Sequence, residues 1–339
     1  MLITTNGKRI GSPFAHMRYI QKNKFENIDS DYCYYLHFIM DPLDLTGLAP
    51  LMARTAGIPE IVIGLIDGPV ALTHPDLTGE TLREIPGRTS QCKDPDSGSC
   101  RHGTFVAGIL NARRSSPAPA ICPACTLLIR PVFSEIEPCG GQLPSATPVE
   151  LAWAIRDCID AGCRIVNLSI ALEEPSPEGD RDLTDALDQA AREEVIVVAA
   201  AGNQGVLGGS ALTRHPWVLP VAACDLQGRP SPYSNLTGSI CRNGLSAPGE
   251  KITSLGSDGE RAAYCGTSTA TPFVTGAIAL LWSELPESHS LEIRSAIKSR
   301  SLHGRGFSFP PLLDAWGAYC SIRGDGRVEQ YRRGTKKAA

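Results

Sequence analysis

Asp67, His102, Asn203 and Ser268 are of the types that acyl transfer needs, and each sits beside glycine in the chain or one residue from it. A serine hydroxyl attacks a carbonyl when a neighbouring base takes its proton. Histidine suits that task near neutral pH. A carboxylate behind the imidazole holds its tautomer and stabilises the cation that forms. An amide N–H aimed at the carbonyl oxygen steadies the charge developing there. In this reading Ser268 is the nucleophile, and His102 is the base that later protonates a leaving amine. Asp67 orients the imidazole, and Asn203 holds the oxyanion with the backbone N–H of Ser268. An isolated Gly266-Thr267-Ser268 would be a helix cap and nothing more. The elements that must carry the four residues argue otherwise.

Ser268 lies in Tyr264–Trp282, YCGTSTATPFVTGAIALLW, with no charge until Glu284. Almost every face of that stretch is apolar or small, which predicts a helix buried on all sides. Pro272 falls near its start, and Gly276 and Ala277 allow close packing. The free N–H groups and positive dipole end at its mouth favour negative charge. Ile61–Ile66 reads as a buried strand that delivers Asp67. After the Pro/Gly/Ser-rich loop 68–100, Arg101–Asn111 predicts a helix opening at His102. The strand Val195–Ala201 ends at Gly202-Asn203. Further strands are expected at Leu127–Phe133, Arg164–Ile170, Val218–Ala223 and Ile252–Ser254. Helices are expected at Thr46–Ala56, Val149–Ala161, Leu183–Glu194, Leu291–Arg300 and Asp314–Ala318.

Near-continuous apolar strands alternating with helices predict an α/β fold: three layers, α/β/α, around a mostly parallel sheet. Ligands bind such sheets beyond the carboxyl ends of the strands. Asp67 and Asn203 each end a parallel strand there, and His102 and Ser268 each open a helix there. Topology alone therefore brings the four together.

The chain has 339 residues, of which 42% are hydrophobic, enough for a sizeable core. One domain is expected over 46–320, after an arm at 1–45 without periodicity and before a loose basic tail at 321–339. The arm reads equally as disordered, as an appended segment or as an over-long start. The net charge of −4 and the absence of an extended basic patch outside Arg332, Arg333, Lys336 and Lys337 exclude nucleic acid as a partner. No apolar run reaches membrane-spanning length, and the N-terminus lacks a signal pattern. A soluble, cytoplasmic protein is expected, with no membrane and no cofactor.

Four segments resemble the signatures of subtilisin-like serine proteases: IGLIDGP at 63–69, RHGTFVAGI at 101–109, VVAAAGNQG at 197–205 and GTSTATPFVTG at 266–276. Weaker matches are RIVNLSI, YSNLTG and LSAPGE. The likeness spans about 60–300 in order, and the chain order Asp, His, Ser is that of subtilisin. It implies a triad of Asp67, His102 and Ser268, with Asn203 at the oxyanion. It implies that Ser169, Ile170 and Ala171 form one edge for an extended substrate, and Gly140 and Gly141 the other. Ala200, Ala201 and Gly202 would line the pocket before the scissile bond. The family usually has Ser or Thr, then Gly, after the aspartate. Here Gly68-Pro69-Val70 follows, and this form, with RPVFSE at 130–135, resembles the cyanobactin maturation proteases, which trim ribosomally made precursor peptides. Macrocyclising members carry an inserted helical cap between Asp and His. Only residues 68–101 separate the two here, which fits the leader-removing kind. No inhibitory pro-domain and no calcium loop is recognisable.

Twelve cysteines are many for such a chain. In a reducing compartment most are expected as thiols packed like small hydrophobes. Cys122 and Cys125 form the one CxxC. Zinc there would need two more ligands, for which Cys92, Cys100 and Cys139 are candidates, and no second CxxC supplies them. No metal is therefore expected. A Cys92–Cys100 disulfide stays open as an alternative in an oxidising setting. His74 and His215 read as turn histidines, Asp76, Asp94 and Asp96 as solvated loop acids, and Cys265 as a packing residue.

Overall fold

Alternate residues of the central strands divide the core in two. Ile63 and Leu65 enter one apolar cluster and Ile66 the other. That division is what a sheet covered on both faces requires. The strands are β1 (Val62–Asp67), β2 (Leu82–Glu84), β3 (Thr126–Pro131), β4 (Ile165–Leu168), β5 (Ile196–Ala200), β6 (Leu219–Cys224) and β7 (Leu245–Pro248). They form one sheet in the order β2-β3-β1-β4-β5-β6-β7, with every pairing parallel. The chain steps from β3 across β1 to β4, so β1 is where the strand order reverses. Asp67 is its last residue. A separate antiparallel pair joins β8 (Ile252–Leu255) to β9 (Arg261–Tyr264). The structure is a computed structural model that describes residues 40–77, 80–85, 91–135, 146–170, 181–299 and 309–324. These fall within one compact unit beginning at Met40.

The helices are α1 (Pro42–Leu45), α2 (Leu48–Met52), α3 (Gly98–Asn111), α4 (Pro148–Asp160), α5 (Arg181–Arg192), α6 (Ala211–Arg214), α7 (Gly238–Asn243), α8 (Thr267–Glu284), α9 (Ser290–Ser299) and α10 (Ala315–Arg323). Residues of α2, α3, α8, α9 and α10 build the cluster on one face, and those of α4 and α5 build the other. The result is the expected three-layer α/β/α fold. Helix α8 is buried along its length from Thr269 to Trp282. At roughly 1.5–3 kcal/mol for each large apolar side chain, its burial makes it the best-anchored helix of the layer.

Several boundaries differ from the sequence reading. Within the expected helix Thr46–Ala56 only Leu48–Met52 is helical, and Gly47, in a left-handed conformation at φ +65°, separates it from α1. Thr46 ends α1 instead of starting a helix, its hydroxyl donating to the carbonyl of Pro42. Helix α1 thus lies within the stretch read as an arm, and α10 extends into the stretch read as a tail. Helix α3 starts at Gly98, because the Ser97 hydroxyl caps it by accepting the N–H of Cys100. His102 is therefore inside the helix, not at its opening. Pro272 lies past the first turn of α8, so the carbonyl of Ser268 lacks its usual helical donor. Strands β2, β7 and β9 and helices α6 and α7 went unread, being too short to show a period. No described helix is long and apolar enough to cross a membrane.

Candidate active site

Asp67 ends β1 and is fully buried. The next residue, Gly68, lies against the first turn of α3, where a Cβ would stand 2.0 Å from the carbonyl oxygen of Ser99. Gly103 meets the same backbone from the other side, 2.4 Å from the carbonyl oxygen of Pro69. Real Cβ atoms do not approach that closely, so both positions require glycine. Strand end and helix cross with their backbones touching, and this brings His102 Nδ1 to 2.7 Å from Asp67 Oδ1. The same oxygen accepts the N–H of Gly68 at 2.6 Å. Asp67 Oδ2 is buried and has no hydrogen-bond partner among the described residues. On its far side, His102 Nε2 lies 3.0 Å from Ser268 Oγ. The His102 side chain is 30% exposed and that of Asp67 0%, so the imidazole meets solvent while the carboxylate does not. The ring of Tyr264 lies nearly parallel to the imidazole, centroids 6.4 Å apart, and packs on Phe105.

Burial works against a charged imidazole at His102. The charge of Asp67 and its hydrogen bond outweigh that cost, and the pKa rises above its ordinary 6.5. A protonated imidazole cannot take the serine's proton. The acid limb of kcat/KM for peptide hydrolysis should therefore fall at a pH above 6.5. Asp67→Asn removes the carboxylate charge, the larger raising influence, and keeps the burial, so the midpoint of His102 titration, followed by NMR, should move to lower pH. A kcat/KM flat from pH 5 to 8 would exclude a histidine base.

Ser268 is the second residue of α8, after the N-cap Gly266. Its N–H is among the first-turn donors that the helix itself cannot use. Across from it, Asn203 is exposed just past β5. Its Oδ1 accepts the backbone N–H of Thr267 at 2.8 Å and the Thr267 hydroxyl at 3.0 Å. The Thr267 oxygen in turn accepts the N–H of Gly202 at 3.1 Å. Two donors on one oxygen set the amide's orientation and leave Nδ2 for the site. A Cβ at Gly266 would stand 3.1 Å from Ser268 Oγ and 3.3 Å from Asn203 Nδ2. Glycine keeps that volume open. It is where an atom could lie within reach of both the hydroxyl and the amide.

The other expected site residues fall differently. Ala200, Ala201 and Gly202 are buried at the end of β5, leading to Asn203. Ser169 and Ile170 follow β4 and are buried, and the Ser169 hydroxyl accepts from Asn167 Nδ2. Ala171, Gly140 and Gly141 lie outside the described residues. Cys265 is exposed, not packed: the outward-facing residues of β9 alternate up to it, and its sulfur accepts the N–H of Lys251. His74 orders a turn by accepting the N–H of Asp76. The residues that sequence reasoning missed are Thr267, which holds the Asn203 amide, and the close-approach glycines Gly68, Gly103 and Gly266. All four lie inside the quoted motifs, but their roles depend on contacts between distant segments.

The profile of the subtilase family matches residues 59–315. The chain belongs to the subtilase family. The four signature segments all lie inside the matched range. Among curated subtilases, subtilisin amylosacchariticus of Bacillus subtilis subsp. amylosacchariticus is 28% identical over 258 residues, covering 74% of this chain and 62% of that protein. The chain thus spans less than two thirds of that relative. Among solved subtilase structures, the protease domain of PatA is 30% identical with a TM-score of 0.73, covering 79% of this chain and 97% of that one. The prenylagaramide maturation protease PagA is 28% identical with a TM-score of 0.73, covering 82% of this chain and 99% of that one.

Proposed function

We propose that this subtilase is a serine endopeptidase acting on extended peptide segments. The observation that carries the reading is the unbroken relay Asp67–His102–Ser268, with the Asn203 amide across the open space at Gly266. Ser268 Oγ would attack the scissile carbonyl as His102 Nε2 takes its proton. The resulting oxyanion would lie between Asn203 Nδ2 and the N–H of Ser268. His102 would return the proton to the leaving amine, and water would release the acyl group by the same route.

The substrate we propose is a ribosomally made precursor peptide whose leader or follower is removed. The DGPV form after β1, the RPVFSE segment and the likeness to PagA and PatA support this. A general peptidase is the second reading, supported by the likeness to subtilisin. A fluorophosphonate probe tests the shared chemistry. It should label the protein with one equivalent on Ser268, and labelling should vanish when His102 is replaced by Ala. A protein left unlabelled would be a peptide-binding relative without hydrolysis. Cleavage of a leader–core peptide at one bond, against many bonds of unfolded casein, separates the two substrate readings.

A further inference from the structure

Two cysteines and a carboxylate meet at the start of α3, outside the groups used above. Cys92 and Cys100 are joined as a disulfide, with Cα atoms 5.6 Å apart. The carboxylate of Glu135 stands beside them, and the two sulfurs and a carboxylate oxygen all lie within 4.8 Å of one another. Glu135 is held there by backbone: its Oε1 accepts the N–H groups of Lys93 at 2.8 Å and Asp94 at 2.9 Å. Cys92 is half-buried and the intervening residues Lys93 to Asp96 are exposed, whereas Cys100 is buried. A soluble reductant therefore reaches the Cys92 sulfur first and expels Cys100. That thiolate leaves from the first turn of α3, where free N–H groups and the helix dipole stabilise it.

Two thiolates and a carboxylate are a donor set suited to zinc. Thiolates on one tetrahedral Zn²⁺, each about 2.3 Å from the metal, stand about 3.8 Å apart. Side chains on Cα atoms 5.6 Å apart can span that distance. The CxxC has no comparable partner: among the described residues, no third ligand-type side chain joins Cys122 and Cys125.

We propose that Cys92, Cys100 and Glu135 form a redox-gated zinc site, closed as a disulfide when oxidised and binding one Zn²⁺ when reduced. A dithiol supplies two electrons and two protons, becoming a disulfide while Cys92 and Cys100 become thiols. Zn²⁺ then displaces the two thiol protons. Glu135 is the third ligand and water takes the fourth position. Either cross-link closes the loop whose Ser97 caps α3, the helix that carries His102.

The test uses the full chain, reduced with a phosphine, desalted without oxygen and titrated with Co²⁺. The reduced protein should bind one equivalent more than the oxidised protein, with sulfur-to-cobalt charge-transfer absorption that Zn²⁺ abolishes. Replacing both Cys92 and Cys100 by Ser should remove that equivalent. Glu135→Gln leaves the disulfide, and so the oxidised fold, in place. It should weaken metal binding by at least about tenfold, the lower end of the effect of losing even an outer-shell partner. Equal cobalt uptake in the oxidised and reduced protein would overturn the proposal. So would an extra equivalent retained in the double serine variant, or unchanged affinity in Glu135→Gln.

Discussion

Ser268→Ala is expected to lower kcat for peptide hydrolysis by about 10⁶, leaving roughly 10³–10⁴ over water from the oxyanion donors and substrate binding. That scale is the one established for subtilisin, a member of this family. The physical reason lies in the relay. With Oγ gone, His102 Nε2 has no hydroxyl to deprotonate, and the carbonyl meets only a methyl group. The fold should barely notice. Ser268 Oγ makes one described hydrogen bond, to His102, worth about 0.5–1.5 kcal/mol. Active-site titration should therefore collapse while thermal unfolding moves little. Turnover near that of the parent protein would remove Ser268 from the mechanism.

Asn203→Ala should lower kcat by roughly 10²–10³, about 2.7–4 kcal/mol, with KM little changed. This size is again the subtilisin one. In the proposed mechanism the charge that Nδ2 would stabilise exists mainly in the transition state, so the loss would appear in kcat. The structure adds a control. Asn203 also acts as an acceptor, its Oδ1 taking both the N–H and the hydroxyl of Thr267. Alanine removes donor and acceptor together, whereas Asn203→Asp keeps an acceptor for Thr267 but replaces the donor with a negative charge that also repels an oxyanion. If Asp is as slow as Ala in steady-state kinetics, holding Thr267 is not enough and the side chain at 203 faces the developing charge. If Asp restores kcat, Asn203 serves to hold Thr267, and the oxyanion must rely on backbone N–H groups.

The core strands and the four chemistry-bearing residues were legible because their signals are local. IVIGLI and VIVVAAA are apolar runs ended by Asp67 and by Gly202-Asn203. A strand's carboxyl end is where a parallel sheet keeps its ligands. Helix α8 was legible from its uninterrupted apolar and small residues. The start of α3 was not, because Gly98 and Cys100 show no helical period, and the cap at Ser97 is visible only in its bond to the N–H of Cys100. The break at Gly47 was hidden for a similar reason: a single left-handed glycine leaves no pattern in the sequence.

By itself, the sequence determined the parallel α/β architecture, the membership of Asp67, His102, Asn203 and Ser268 in one edge of the sheet, and the chemistry their types permit. Side-chain period and residue type are properties of neighbours along the chain, so they survive without coordinates. Only the tertiary structure decided that Asp67 and His102 stand 2.7 Å apart, because Gly68 and Gly103 let two backbones touch. It also decided that Thr267 turns the Asn203 amide toward the space above Gly266. And it joined Cys92 to Cys100 beside Glu135, choosing between alternatives that spacing had left open. Each of these depends on distances between segments far apart in the chain, and such distances follow only from how the layers pack.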